Sequence, residues 1–240
     1  MCYTLPMDQR ISDIRRFYEL LDLLEHTLGG SRTLASSTGR LDWPRRGVYF
    51  FFEKSETRSN SGTGARIVRI GTHALNHGSG TTVWGRLRGH RGSARSGGGN
   101  HRGSIFRLIV GTSLMARDGD VCQTWDDRRA NAPSEVRKAE QTMEGRVSEV
   151  IGAMPFVWLP VEDEAGPQSE RGLIERGAIA LLSNWNRQPI DPPSSDWLGL
   201  HCNRPRVRHS GLWNSNHVDE DYDPAFLDCF HRLVDAAGGR

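Results

Sequence analysis

The sequence predicts an α/β chain of the α+β kind, with a small three-stranded antiparallel sheet flanked by helices. Three observations predict it. Gly47-Val48-Tyr49-Phe50-Phe51-Phe52 is an aromatic, β-prone run behind Pro44, and a turn-rich stretch joins it, as in a hairpin, to Ile67-Val68-Arg69-Ile70-Gly71. Phe156-Val157-Trp158-Leu159-Pro160-Val161 is a third such run far down the chain. Between and around them lie longer stretches whose apolar residues recur at helical spacing.

Taken in order, Ile14, Phe17, Leu20, Leu21, Leu23, Leu24 and Leu28 give residues 12–28 the apolar face of a leading helix, which Gly29-Gly30 stops. Ser59-Asn60-Ser61-Gly62-Thr63-Gly64 has turn composition. After a second turn-like stretch at 76–80, Thr81 is placed to cap a helix that buries Val83, Trp84 and Leu87 and exposes Arg86, Arg88 and His90. Residues 92–103 are too glycine-rich for regular structure and read as a mobile basic loop. Residues 104–116 fit strand or helix, with helix favoured. Residues 134–154 form a helix with Val136, Ala139, Met143, Val147, Val150 and Ile151 on one face. A helix over 169–183 buries Leu173, Ile174, Ala178, Ile179, Leu181 and Leu182, and an extended tail ends in a helix that Asp223-Pro224 announces. The order divides into an N-terminal helical segment (1–44), a core (45–187) holding the basic loop (92–103) and a helical insertion (104–152), and a C-terminal extension (188–240).

The charge is segregated. From Thr57 to Arg117 the chain has no Asp or Glu and ten arginines, while the formal net charge of all 240 residues is only +2. That segment therefore holds +10 and the remainder −8. A local positive field suits a polyanion, and arginine's planar fork can hold two phosphate oxygens at once. A coding bias accounts for arginine over lysine, since only Lys54 and Lys138 occur, but not for the missing acids. The reading is a nucleic-acid-binding face.

The N-terminus lacks a basic flank followed by an apolar stretch, and no run approaches the ~20 apolar residues of a membrane span, so a soluble, cytoplasmic protein without membrane contact is expected. Cys2, Cys122, Cys202 and Cys229 are scattered and form no Cys-x-x-Cys pair, so neither a zinc knuckle nor a disulfide framework is indicated and reduced, mostly buried thiols are expected.

Gly47-Val48-Tyr49, Arg69-Ile70-Gly71, Arg86-Leu87-Arg88-Gly89-His90 and Leu173-Ile174-Glu175 occur in that order on the first strand, the second strand, the following helix and a late helix. In this the chain resembles the GIY-YIG nuclease superfamily, its restriction-endonuclease-like members in particular, over roughly residues 45–187. The resemblance implies a metal-dependent endonuclease acting on DNA, with Mg²⁺ or Mn²⁺ as cofactor and a homodimer as one arrangement. It assigns Tyr49 to the attacking water, Arg86 to the scissile phosphate and Glu175 to the metal as its lone carboxylate ligand. His90, one turn after Arg86, is the better base at neutral pH. Arg88, Arg91, Arg95, His101, Arg102, His73 and Asn184 are the expected DNA contacts.

Plainer readings stand beside these. Tyr49 also fits a core aromatic, Arg88 rivals Arg86, and Glu170 rivals Glu175. The family asparagine is Asn184 or Asn186. The second-motif tyrosine is Arg69 here, which removes a hydroxyl and supplies a group for phosphate binding or an ion pair with Glu175. Gly71 lets the backbone turn sharply or approach the substrate. Gly97-Gly98-Gly99 lacks the Lys-Ser/Thr of a nucleotide loop, and the acidic string after His217 reads as a cap and a partner for basic residues. A non-catalytic nucleic-acid-binding module is the rival function, and repair-type incision the alternative to restriction or defence.

Overall fold

A computed structural model describes residues 7–93, 96, 98–127, 132–166 and 168–239. Helix α1 (Met7–Thr27) leads, followed by the two-residue strand β1 (Arg32–Thr33) and the hairpin β2 (Gly47–Thr57) and β3 (Ala65–Gly71). Helices α2 (Val83–Arg91), α3 (Ile105–Asp118) and α4 (Ser134–Ala153) precede β4 (Pro155–Pro160) and α5 (Glu170–Leu182). The chain ends with the short α6 (Pro205–Ser210) and α7 (Ala225–Gly238). The sheet is antiparallel throughout in the order β1-β4-β2-β3, so it has four strands rather than three. The extra strand is β1, too short to leave any periodicity in the sequence.

The run Val48–Phe52 is apolar without alternation because both faces of the sheet are covered. Val48, Phe50 and Phe52 point into one cluster with α1, α5 and α7, where Phe17 stacks on Phe230 at 5.1 Å. Tyr49 and Phe51 point the other way, into a cluster with α2, α3, α4 and Trp213. Four expectations shift locally. Thr82, not Thr81, caps α2, its hydroxyl accepting from the Gly85 N–H at 3.1 Å. Leu23 and Leu173 are exposed, whereas His90 is fully buried.

The stretch from Asp191 to Asn214 packs back onto the hairpin, while α7 packs on α1, α5 and β4. Along the free edge of β3, the Trp213 N–H donates to the Val68 carbonyl at 2.7 Å, and the Asn214 side chain brackets Ile70, accepting from its N–H (3.1 Å) and donating to its carbonyl (2.8 Å). An edge strand is thereby covered rather than left open to pairing. The Asp191 carboxylate accepts the N–H groups of Ser59, Asn60 and Ser61, fixing the turn between the two strands.

Candidate active site

A cleft of about 790 Å³ opens where the end of β3, α2 and the middle of α5 meet Arg204 and residues 213–217. Arg69, Arg86 and Glu175 line it together with Thr72, Asn214 and His217, and Tyr49 forms part of the buried wall behind Arg69 and Arg86. Tyr49 sits opposite Gly71 in the β2–β3 ladder. A Cβ on Gly71 would lie 2.5 Å from the Tyr49 ring, so this glycine makes room for the tyrosine rather than for a turn.

Helix α2 places Arg86 and His90 one turn apart on the side facing the sheet. His90 Nε2 lies 2.9 Å from the Tyr49 hydroxyl and Nδ1 2.7 Å from Ser104 Oγ. Ser104 caps α3 and already accepts the Arg107 N–H at 3.3 Å. Its own proton, buried with no other acceptor, is best satisfied on His90 Nδ1. That leaves Nε2–H to donate to the tyrosine oxygen. Burial, then the charges of Arg69, Arg86 and Arg107, hold His90 well below its ordinary pKa, so it is neutral across the physiological range. Burial pushes the Tyr49 hydroxyl above its ordinary value, and the nearby Arg86 and Arg69 oppose that shift.

Arg69 makes no ion pair with Glu175. Its guanidinium donates to the Trp213 carbonyl, lies 4.5 Å from the Phe106 ring centre, and keeps a buried Nε without a partner. Glu175 instead accepts the Thr72 N–H at 3.1 Å through one oxygen. Burial raises its carboxyl pKa, with Arg69 foremost among the opposing influences. Glu170 is remote from the cleft and pairs with Arg232.

The expected DNA contacts fare unevenly. Arg86, Arg88 and Arg91 meet no carboxylate among the described residues, whereas Arg66, Arg102, Arg107 and Arg117 of the acid-free segment pair with Glu56, Glu140, Glu144 and Asp118. The acids missing locally are supplied from elsewhere in the chain. His101 is buried against Trp125 and bonds Glu144 at 2.9 Å, and Gly99 packs against the Arg107 guanidinium, so the described part of the loop is built around an internal ion network. His101 and Arg102 therefore do not offer charge to a ligand. Arg95 lies outside the described residues. His73 lines the cleft with neither ring nitrogen bonded, and burial, then Arg171, lowers its pKa to about 4.

Asn184 does not reach the cleft. Its side-chain oxygen accepts from Arg10 at 3.2 Å and from the Ile190 N–H at 2.9 Å, and Asn186 is an exposed residue with φ 50°. Arg204, Asn214, Asn216 and His217 line it instead, and none was expected there. Trp213-Asn214-Ser215-Asn216-His217, a polar string behind a tryptophan, was the available signal.

Arg102 and Glu140 have side chains only 3% and 2% exposed, so Arg102→Ala strands a buried carboxylate. Urea unfolding should show a loss of about 3 kcal/mol, with little change in DNA affinity. A fully stable variant that bound DNA weakly would return Arg102 to the interface.

The profile of the GIY-YIG domain matches residues 8–239, and the chain belongs to that family. GIY-YIG proteins are generally endonucleases that act on DNA, typically with divalent metals. No curated protein and no solved structure matches the chain. Among the described residues no helix is long and apolar enough to cross a membrane.

Proposed function

We propose that the chain is a Mg²⁺-dependent DNA endonuclease with a restriction or defence role. The observation that carries this reading is the convergence of two arginines and one carboxylate at a single cleft, with the buried Tyr49 hydroxyl close behind the arginines. Phosphodiester hydrolysis needs an oriented water, cations against the charge developing on phosphorus, and an anchor for a divalent ion.

The donor set fits such an ion. Among the described residues Glu175 is the one acid lining the cleft and bonds through one oxygen, and burial leaves its charge short of a partner. Among the described residues no three His, Cys, Asp or Glu cluster as a cage, which suits Mg²⁺, an ion that keeps most of its waters. Bound there, Mg²⁺ or Mn²⁺ would polarise the phosphate and offset charge on the leaving oxygen. Arg86 and Arg69 hold the non-bridging oxygens. Tyr49 orients the attacking water and, as phenolate, takes its proton. His90 acts through its Nε2–H, stabilising the phenolate oxygen rather than serving as the base.

Arg88 and Arg91 extend the positive face along α2. Each neutralised phosphate contributes about 0.9 to the salt slope on duplex DNA, so replacing both with Ala should flatten that slope by roughly 1.8 in anisotropy titrations. An unchanged slope would place this end of α2 away from DNA.

Arg69 in the tyrosine position favours one rival, a binding module without chemistry. Plasmid DNA incubated with the protein and Mg²⁺ separates the readings. Discrete fragments are expected of a restriction enzyme, nicks confined to damaged substrates of a repair nuclease, and intact bound plasmid of the rival.

A further inference from the structure

Helix α2 has only nine residues, yet Gly85 and Gly89 occupy its interior one turn apart. Interior glycine weakens a helix, because it exacts backbone entropy and packs nothing. Some buried glycines have visible reasons, as where Gly71 clears Tyr49 and Gly177 clears Phe226. Gly89 has none. A Cβ there would meet nothing within 4 Å, and its φ does not call for glycine. Gly103, across from it, is equally open.

These glycines lie at a junction. Gly85, Gly89 and Gly103 line both the catalytic cleft and a second cavity of about 660 Å³ on the far side of α2. That cavity is walled by the unpaired Arg88 and by Arg137 on α4, an exposed cation with no carboxylate partner among the described residues. Its one acid, Glu144, is already committed to Arg107 and His101. A bare saddle thus connects the proposed phosphate site to a second, cationic hollow.

We propose that this saddle is a substrate subsite, in which the DNA backbone leaves the cleft across Gly89 and places a phosphate flanking the scissile one between Arg88 and Arg137. The glycines are kept small by a ligand rather than by the fold. Arg137 lies outside the acid-free segment, so charge segregation in the sequence gives no hint of it. The inference rests on the DNA reading of the cleft and specifies the path of the strand.

The test separates stability from binding. In EDTA, so that nothing is cut, anisotropy with a short fluorescein-labelled DNA duplex gives the affinity, and a thermal melt gives the stability. Gly89→Ala should raise the melting temperature by about 1–4 °C and weaken binding about fivefold or more. Gly89→Leu, still a good helix former, should weaken it further. Arg137→Ala should lower the salt slope by about 0.9 at an unchanged melting temperature. Parental affinity in both Gly89 variants, or a lower melting temperature in Gly89→Ala, would overturn the proposal, and an unchanged slope in Arg137→Ala would contradict a path between the two arginines. A parent protein that bound no DNA would instead remove the DNA reading itself, and this subsite with it.

Discussion

Glu175→Gln should abolish DNA cleavage while leaving the fold and DNA binding nearly intact. The substitution keeps the side chain's shape and its acceptor for the Thr72 N–H, but removes the one acidic group that lines the cleft among the described residues. A single protein ligand makes the loss large, since among the described residues lining the cleft no second acid could take over the ion. Binding should survive because Arg69, Arg86, Arg88 and Arg91 are untouched. Loss of a raised-pKa buried acid should also relieve desolvation, so the melting temperature should hold or rise. Cleavage retained in Mg²⁺ would remove Glu175 from the metal.

The second large effect concerns Tyr49 and His90. Tyr49→Phe deletes one oxygen in a fully buried ring, and single-turnover cleavage should fall by about 10²–10⁴. The pH profile discriminates the roles. A histidine base of ordinary pKa would give activity that falls below pH ~6.5 and levels off above it. Here His90 is held neutral far below that value, and the Tyr49 hydroxyl is raised above its own. The rate should therefore keep climbing with pH, about tenfold per unit between roughly pH 6 and 9, because the phenolate fraction grows with each step. His90→Ala should lower the whole profile without creating or removing a break near 6.5. A plateau above pH 7 would make His90 the base.

His90 also sets an acid limit on folding. Its folded pKa is depressed, so below pH ~6.5 the unfolded chain takes up a proton that the native state refuses, and stability declines toward the depressed value. The slope from this one group is about 1.4 kcal/mol per pH unit. Urea midpoints measured between pH 7 and 5 should fall for the parent and fall less for His90→Gln.

The hairpin, the late strand and the long helices were legible because each carries its signal locally. A run of five apolar residues reads as a strand buried on both faces, and the four-residue gap between Arg86 and His90 puts both on one helix face. Glu175 was legible as an acid set among apolar neighbours. The basic segment misled because charge was counted along the chain while ion pairs form across it, Arg102 to Glu140 and Arg107 to Glu144. A trace of those pairs was present: Glu140 and Glu144 stand one turn apart on the same side of α4 as Met143 and Val147, where acids need buried partners. Asn184 and Asn214 show the limit of spacing. The first is tied to Arg10, while the second reaches the cleft only because the tail folds along β3, a contact between residues 144 apart.

The most direct test of the cleft as a nuclease centre is cleavage of an end-labelled DNA duplex by the parent protein under single-turnover conditions, in Mg²⁺ and in EDTA, with binding confirmed in both. New labelled fragments in Mg²⁺ and an intact duplex in EDTA are the predicted result. A duplex that is bound under both conditions and remains uncut in Mg²⁺ would contradict the account and leave a DNA-binding protein on a nuclease fold.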